Sequence, residues 1–180
     1  MYKRLMLILF IGLLSFKAYA DDFTEKKDGF SVGFFGGYQG GKSPKWYNAG
    51  EYGIGIDYIR SLPENTWINF GAELKMTTVI ASTLSDFGVR AGYGVMLFDM
   101  WRTGIGVRFD VNLISIIEIA AGKYHLTPYL TNSVVFPMNS FSGVELFVDI
   151  GMPMNMTDIK KVYVQGVEVR AGLNWLFKLG

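Results

Sequence analysis

The residues best suited to catalysis in this 180-residue chain are His125 and Thr127. A spacing of two places both side chains on one face of a strand. A histidine beside a hydroxyl could act as general base and nucleophile, but such catalysis also needs an acid that orients the histidine. No acid follows at a matching spacing in the sequence. The favoured interpretation is therefore a histidine that belongs to a polar network, with a hydrolytic site as the alternative.

Charged residues that alternate with apolar ones form the second set of candidates. Glu51 and Asp57 would lie about 20 Å apart on an extended strand, which disfavours a two-carboxylate active site. The mixture of signs instead predicts an interior network of ion pairs. Its predicted members are Glu51, Asp57, Glu73, Lys75, Arg90, Arg108, Asp110, Glu145, Asp149, Glu168 and Arg170, with Arg60 and Arg102 assigned to the same face.

Three Gly-x-Gly pairs occur within segments that otherwise look like strands. A glycine motif of this kind can cradle phosphate where a helix follows the strand, but no helical pattern follows any of the three. The glycines share a face with charged residues, so we expect them to make room for long side chains inside a narrow fold. The pairs are Gly53 and Gly55, Gly92 and Gly94, and Gly104 and Gly106.

Composition excludes several classes of function. The chain has no cysteine, which rules out disulfides, thiolate metal ligands and a cysteine nucleophile. It has a single histidine, so a transition-metal site is not expected, and nothing predicts a cofactor. The formal net charge is +1, and no basic surplus points to nucleic acid.

The N-terminus has the pattern of a secretory signal peptide. Two basic residues precede the apolar stretch Leu5–Phe16, and the small-x-small motif Ala18–Ala20 follows it. Twelve residues make a helix of only about 18 Å, too short to cross a membrane. The predicted organisation is a signal peptide at 1–20, a short N-terminal segment at 21–28 and one domain at 29–180.

From about Gly29 onward, apolar and polar residues alternate with a period of two, which predicts strands. In the sixth segment Pro128 cannot donate to a ladder and Asn132 falls on the apolar face, so a β-bulge there could shift the parity. The eight predicted strands cover about 30–39, 51–58, 68–77, 87–97, 104–112, 124–136, 144–151 and 166–177.

The two predicted faces favour a membrane barrel over a soluble one. One face is apolar and nearly continuous, whereas the other combines glycines with charges and has few large solvated groups. Aromatic residues also gather near the predicted strand ends, as expected for rings at a lipid–water boundary. The predicted girdle comprises Tyr58, Trp67, Trp101, Trp175 and Phe177.

These features resemble the small outer-membrane β-barrels of the OmpA/OmpX type, over about Gly29–Phe177. The ending VRAGLNWLF resembles their aromatic-terminated last strand, although Lys178, Leu179 and Gly180 follow it here. The resemblance implies an all-β, eight-stranded antiparallel up-and-down transmembrane barrel in the cell outer membrane. It implies outer-membrane lipid, a lipopolysaccharide-like glycolipid and the assembly machinery as partners, and a monomer that does not bind nucleic acid.

Three functions remain open at this point. The favoured one is a structural or surface-interaction role, with the lumen plugged by salt bridges and no catalysis. Outer-membrane lipid A deacylases resemble this fold and use a His-x-Ser pair with a nearby acid, where this chain has His125 and Thr127. A narrow pore is the third. The apolar stretch Leu113–Lys123 could extend two strands or form a docking surface.

Overall fold

A computed structural model describes residues 28–41, 49–79, 82–98, 100–114, 124–158 and 162–179. The predicted signal peptide lies outside the described residues, as does the N-terminal segment apart from Asp28. Only the first two residues of the apolar stretch Leu113–Lys123 are described. Within these ranges no helix is long and apolar enough to cross a membrane.

The described residues form ten strands. Seven long strands are followed by two strands of two residues each and by a final long strand. They are β1 (Asp28–Gly40), β2 (Ala49–Leu62), β3 (Thr66–Val79), β4 (Ser82–Leu97), β5 (Trp101–Ile114), β6 (Tyr124–Pro137), β7 (Ser142–Gly151), β8 (Met154–Asn155), β9 (Tyr163–Val164) and β10 (Val167–Lys178).

The eight long strands close into an antiparallel barrel. The sheet order runs β5-β4-β3-β2-β1-β10-β7-β6, and pairing of β5 with β6 completes the circle. At the seam between the first and last strands, β1 pairs with β10 from Gly29 opposite Lys178 to Gly40 opposite Val167. The short strands β8 and β9 form a ribbon beside the end of β6. The predicted eight-stranded antiparallel barrel is confirmed.

Three compact turns lie at the barrel end that also holds both described chain ends, here called the terminal end. Between β2 and β3, Glu64 and Asn65 have φ of 61° and 56°, which matches the twist of a two-residue hairpin turn. Between β6 and β7, the Asn139 side chain accepts hydrogen bonds from the backbone N–H groups of Phe141 and Ser142 at 2.8 Å. At the opposite end, here called the loop end, strands β1, β3, β5 and β7 end and strands β2, β4, β6 and β10 begin.

The barrel has an apolar exterior and a charged interior. Phe34, Ile54 and Ile105 are 55%, 60% and 61% exposed on the outside. Arg108 and Arg170 are 1% and 0% exposed in the lumen. Strand pleating produces this sorting, because successive side chains point to opposite faces of the sheet. Such an exterior suits hydrocarbon rather than water.

The bulge that the sequence allowed for in β6 is absent. Its register with β5 runs without a shift from Tyr124 opposite Val111 to Val134 opposite Trp101, so Asn132 stays on the outer face. Pro128 is tolerated because it lies where β7 has ended and β8 has not yet begun, and its carbonyl accepts a hydrogen bond from Met152 N at 3.0 Å. The register shift between β4 and β5 falls instead at Ser85 and Asp86.

Candidate functional site

The lumen is the chemically distinctive part of the molecule. All eleven charged side chains predicted for the interior point into it, and each is at most 8% exposed. They come from six of the eight long strands, every one except β1 and β6.

Glu73 and Arg170 lie at the centre of the network. Arg170 donates to both carboxylate oxygens of Glu73, at 3.0 and 2.9 Å, which is the paired geometry that favours arginine over lysine. Arg108 Nε lies 3.4 Å from Glu73 and 2.9 Å from Asp110, while its Nη2 reaches Glu168 at 2.6 and 2.7 Å.

An aromatic ring completes the environment of Arg170. The guanidinium carbon lies 3.7 Å from the centroid of the Phe35 ring, within the range of a cation–π interaction. Phe35 is 5% exposed and projects into the lumen from β1. The fully buried guanidinium of Arg170 therefore contacts the Glu73 carboxylate on one side and the Phe35 ring on another.

A second cluster forms around Asp57. Arg90 Nε donates to Asp57 at 2.7 Å, and its Nη2 contacts the other carboxylate oxygen. Asn69 and Ser31 each donate to the same carboxylate at 3.3 Å. Arg90 Nη1 also lies 3.9 Å from Asp149. Asp57 therefore accepts bonds from side chains of three other strands.

A third cluster surrounds Glu145 toward the terminal end. Its carboxylate accepts hydrogen bonds from Ser133 at 2.7 Å, Asn174 at 2.9 Å and Arg102 at 3.3 Å. These groups come from three strands. Since a buried carboxylate is costly unless it is paired and hydrogen-bonded, these three contacts offset the cost of burying Glu145.

The cluster nearest the loop end is organised by Lys75. Its ammonium nitrogen lies 3.3 Å from Asp110, 3.7 Å from Glu51 and 3.9 Å from Asp86. Asp86 is 5% exposed and was missing from the sequence-based set. The signal that could have found it is parity, because Phe87 faces outward and the preceding residue must then face the lumen.

His125 and Thr127 lie in the lumen as well, 7% and 0% exposed. Asp110 on β5 is the cross-strand neighbour of His125, and its carboxylate lies 3.3 Å from the Lys75 ammonium and 2.9 Å from Arg108 Nε. Both side chains face away from the outer apolar surface that would meet lipid. In the described part of the chain, no three His, Cys, Asp or Glu residues are grouped to hold a metal ion.

Two sequence-based assignments are wrong. Trp67 is not part of an outer girdle: it is 5% exposed in the lumen, and its Nε1 donates to the carbonyl of Val95 at 3.3 Å. Arg60 is on the rim, not inside, and lies 3.8 Å from Asp28 with its side chain 51% exposed. In both cases the direction of the side chain follows from the alternation of inward and outward residues along the strand, and not from closeness to a turn.

The other four predicted girdle residues lie at the terminal end. Trp101, Trp175 and Phe177 are each 48% exposed on the outer face. Tyr58 is half-buried, its hydroxyl donates to Asp28, and its ring centroid is 5.5 Å from that of Phe30. These residues are predicted to meet a lipid–water boundary.

Inward glycines make room for rings as well as for charges. A Cβ at Gly94 or Gly104 would lie 2.7 or 2.8 Å from the Trp67 ring. At Gly172 it would lie 2.6 Å from the ring of Phe147. The sequence predicted that the Gly-x-Gly pairs make room for charged side chains, but the close side chains at Gly53, Gly94, Gly104 and Gly106 are the rings of Phe35, Trp67 and Tyr129. Gly71, which belongs to none of these pairs, is the glycine that faces the Asp57 carboxylate. The interior aromatic rings were not anticipated as the neighbours of the Gly-x-Gly pairs.

A closed eight-stranded antiparallel barrel with an apolar exterior and a lumen filled with side chains defines the class: a small barrel of the outer-membrane type. Two solved structures are similar to it. Neisserial surface protein A matches with a TM-score of 0.58 at 11% identity, covering 84% of this chain and 97% of that protein. The outer-membrane protein OprG from Pseudomonas aeruginosa matches with a TM-score of 0.50 at 8% identity, covering 86% and 97%.

At these identities the likeness concerns the fold alone. No protein-family model matches the sequence, and no curated protein resembles it significantly. Function must therefore be argued from this chain's own residues.

Proposed function

We propose that the chain is an integral outer-membrane barrel that acts through its structure or its surface and has no catalytic activity. The observation that carries the proposal is the lumen, where buried ion pairs link most of the wall strands. A barrel of eight strands has an interior just wide enough for side chains. Among the described residues, groups held this closely fill the lumen and leave no room inside it for a lipid or sugar substrate.

The outer surface supports insertion into a bilayer. Large apolar side chains cover it along the strands, and Trp101, Trp175 and Phe177 lie near one end of this belt. The sequence-based signal peptide at 1–20 accounts for export. Outer-membrane lipid surrounds the belt in this proposal, the assembly machinery inserts the barrel, and the protein is a monomer.

The composition of the loop-end connections supports contact with a phosphate-bearing glycolipid such as lipopolysaccharide. The sequence between the strands that meet at this end has more basic than acidic residues, and basic residues attract anionic head groups. The basic residues are Lys42, Lys45, Lys123, Lys160 and Lys161, and the acidic ones are Glu118 and Asp158.

Conductance in planar lipid bilayers tests the plugged lumen. We expect the refolded chain to show little stable conductance, because the buried ion pairs would have to separate before ions could pass. Large, well-resolved channels in the wild-type protein would contradict the proposal and favour the narrow pore.

The lipid profile of whole cells tests the absence of catalysis. We expect His125→Ala to leave the lipid A pattern unchanged, because His125 and Thr127 face the lumen. A lipid A pattern that depends on His125 would establish the hydrolytic alternative.

A further inference from the structure

An apolar groove crosses the outer wall of the barrel in the half nearer the loop end. Its volume is about 570 Å³, within the range of sites that hold small ligands. We call it the outer groove. Two rows of outward side chains form its sides, and each row contains one residue from each of three neighbouring strands. The first row is Phe34, Ile54 and Leu74, and the second is Tyr52, Met76 and Ser85.

The strand register explains why a groove forms between these rows. Outward side chains recur at every second residue, so the rows lie about 7 Å apart along the strands. Ser85 is the one small side chain among the six, and the register of β4 against β5 shifts beside it. This leaves room at the end of the groove near Leu113, which also borders it.

The charged residues that border the outer groove do not make its surface polar. Lys75 and Asp86 are each at most 6% exposed, and the Lys75 ammonium lies 3.9 Å from the Asp86 carboxylate inside the lumen. Pleating directs their side chains away from the outer face. The outward lining is therefore apolar except for the hydroxyl groups of Ser85 and Tyr52. The inward residues at its border are Phe35, Gly53, Lys75 and Asp86.

The length of the outer groove matches the depth of one bilayer leaflet. Its border runs from β1 to β5, and four strand spacings of about 4.8 Å make about 19 Å. Strands of membrane barrels tilt by about 35–45°, so a row at right angles to them also runs obliquely and descends through about 12 Å. The apolar band of such barrels is about 25 Å tall, so the groove crosses about half of it.

We propose that the outer groove binds one acyl chain of a lipid in the leaflet at the loop end. The inference rests on insertion of the barrel into a bilayer, because the groove then opens into hydrocarbon. A chain between the two rows contacts protein on more sides than a chain on a smooth wall. Within hydrocarbon such close packing favours association. Tyrosine is enriched at the lipid–water boundary, so Tyr52 is suited to meet the polar part of the same lipid.

Mass spectrometry under non-denaturing conditions tests this site. The protein is refolded into vesicles of dimyristoylphosphatidylcholine, and insertion is checked on a gel by comparing unheated with boiled samples. After release into detergent, we expect one lipid per barrel to remain bound at collision energies that remove all other lipid.

The possible failures are distinguishable. Folded, inserted protein that retains no lipid would overturn the inference and leave the membrane barrel intact. A two-chain mass without lipid would also overturn it, because a second copy would then cover the groove. Recovery of the protein in the aqueous fraction would contradict insertion, and the inference with it.

A matched pair of variants locates the bound lipid. Leu74→Trp places a larger ring at the groove, and we expect it to reduce the one-lipid population about tenfold by removing contacts with the chain. Leu146→Trp makes the same change on β7, away from the groove, and should keep the lipid. Leu74 and Leu146 are similarly exposed, at 51% and 49%.

Ser85→Phe, which fills the groove from β4, serves if Leu74→Trp does not fold. Retention of the lipid in both groove variants at the wild-type level would overturn the proposal, as would an equal loss in Leu146→Trp.

Discussion

Glu73 is the carboxylate on which the interior arginines converge. Arg170 binds it through two hydrogen bonds of 3.0 and 2.9 Å, and Arg108 and Arg90 lie 3.4 and 3.9 Å away. It is 2% exposed, so water cannot replace its negative charge. The stability of the lumen should therefore depend on this residue more than on charges at the rim.

We expect Glu73→Gln to lower the free energy of unfolding by about 3–5 kcal/mol, because it leaves buried guanidinium groups without their shared partner. Denaturant unfolding in detergent micelles measures the change. Glu64→Gln, at an exposed turn, is the matched control and should alter stability by no more than about 0.5 kcal/mol. Similar effects of the two variants would mean that the network contributes little.

Gly71 and Gly55 allow a second comparison, between two glycines on the neighbouring strands β3 and β2. A Cβ at Gly71 would overlap the Asp57 carboxylate and lie 2.7 Å from the carbonyl of Ile56. At Gly55 the nearest atom would be the carbonyl of Ala72, at an ordinary 3.5 Å. We expect Gly71→Ala to reduce the folded fraction. This fraction is measured on a gel, where folded protein in unheated samples migrates differently from boiled protein. Gly55→Ala should fold like the wild type, and equal yields would argue against crowding at Gly71.

The direction of the side chains within each strand was the feature most predictable from the sequence, because apolar and polar residues alternate along the strand. Each strand has one face toward the lumen and one toward the outside, so a period of two determined the direction of all eleven network residues. Assignments that departed from this rule failed, as with Trp67 and Arg60. Asp86 was missed because the strand predicted from the sequence began at Phe87, one residue after Asp86. The register shift between β4 and β5 lies at this point.

The identity of the ion pairs could not be predicted from the sequence. Arg108 and Glu168 are separated by 60 residues, and Arg170 and Glu73 by 97. These contacts cross the lumen, so they depend on how far each strand is staggered against the next around the closed barrel. No local pattern in one strand records that stagger.

The inward position of Trp67 leads to a prediction for β3. In lipid vesicles, a quencher carried on the acyl chains should quench the fluorescence of Trp101 and Trp175 but leave that of Trp67 largely unaffected, because Trp67 packs in the lumen against Gly94 and Gly104. Variants that each retain one tryptophan isolate the three signals. Strong quenching of Trp67 would show that this side chain faces lipid.

At the scale of the whole molecule, the distribution of polarity is reversed relative to a water-soluble protein. The buried apolar cluster of Ile59, Val135 and Leu176 is small, whereas the exterior carries large apolar side chains on every long strand. Burial of apolar surface within the protein therefore cannot be the main source of its stability. The closed ladder, the interior ion pairs and transfer of the exterior into hydrocarbon must supply it together.

Ile54 distinguishes a membrane barrel from a soluble one. It is 60% exposed near the middle of β2, so Ile54→Arg places a charge within the apolar belt. In lipid vesicles we expect this change to lower the free energy of unfolding by about 2–4 kcal/mol, the cost of arginine near the bilayer midplane. Ile54→Leu, which keeps the side chain apolar, should be nearly neutral. If Ile54→Arg instead increased the yield of folded protein in the aqueous fraction without detergent, the exterior would face water and the barrel would be a soluble one.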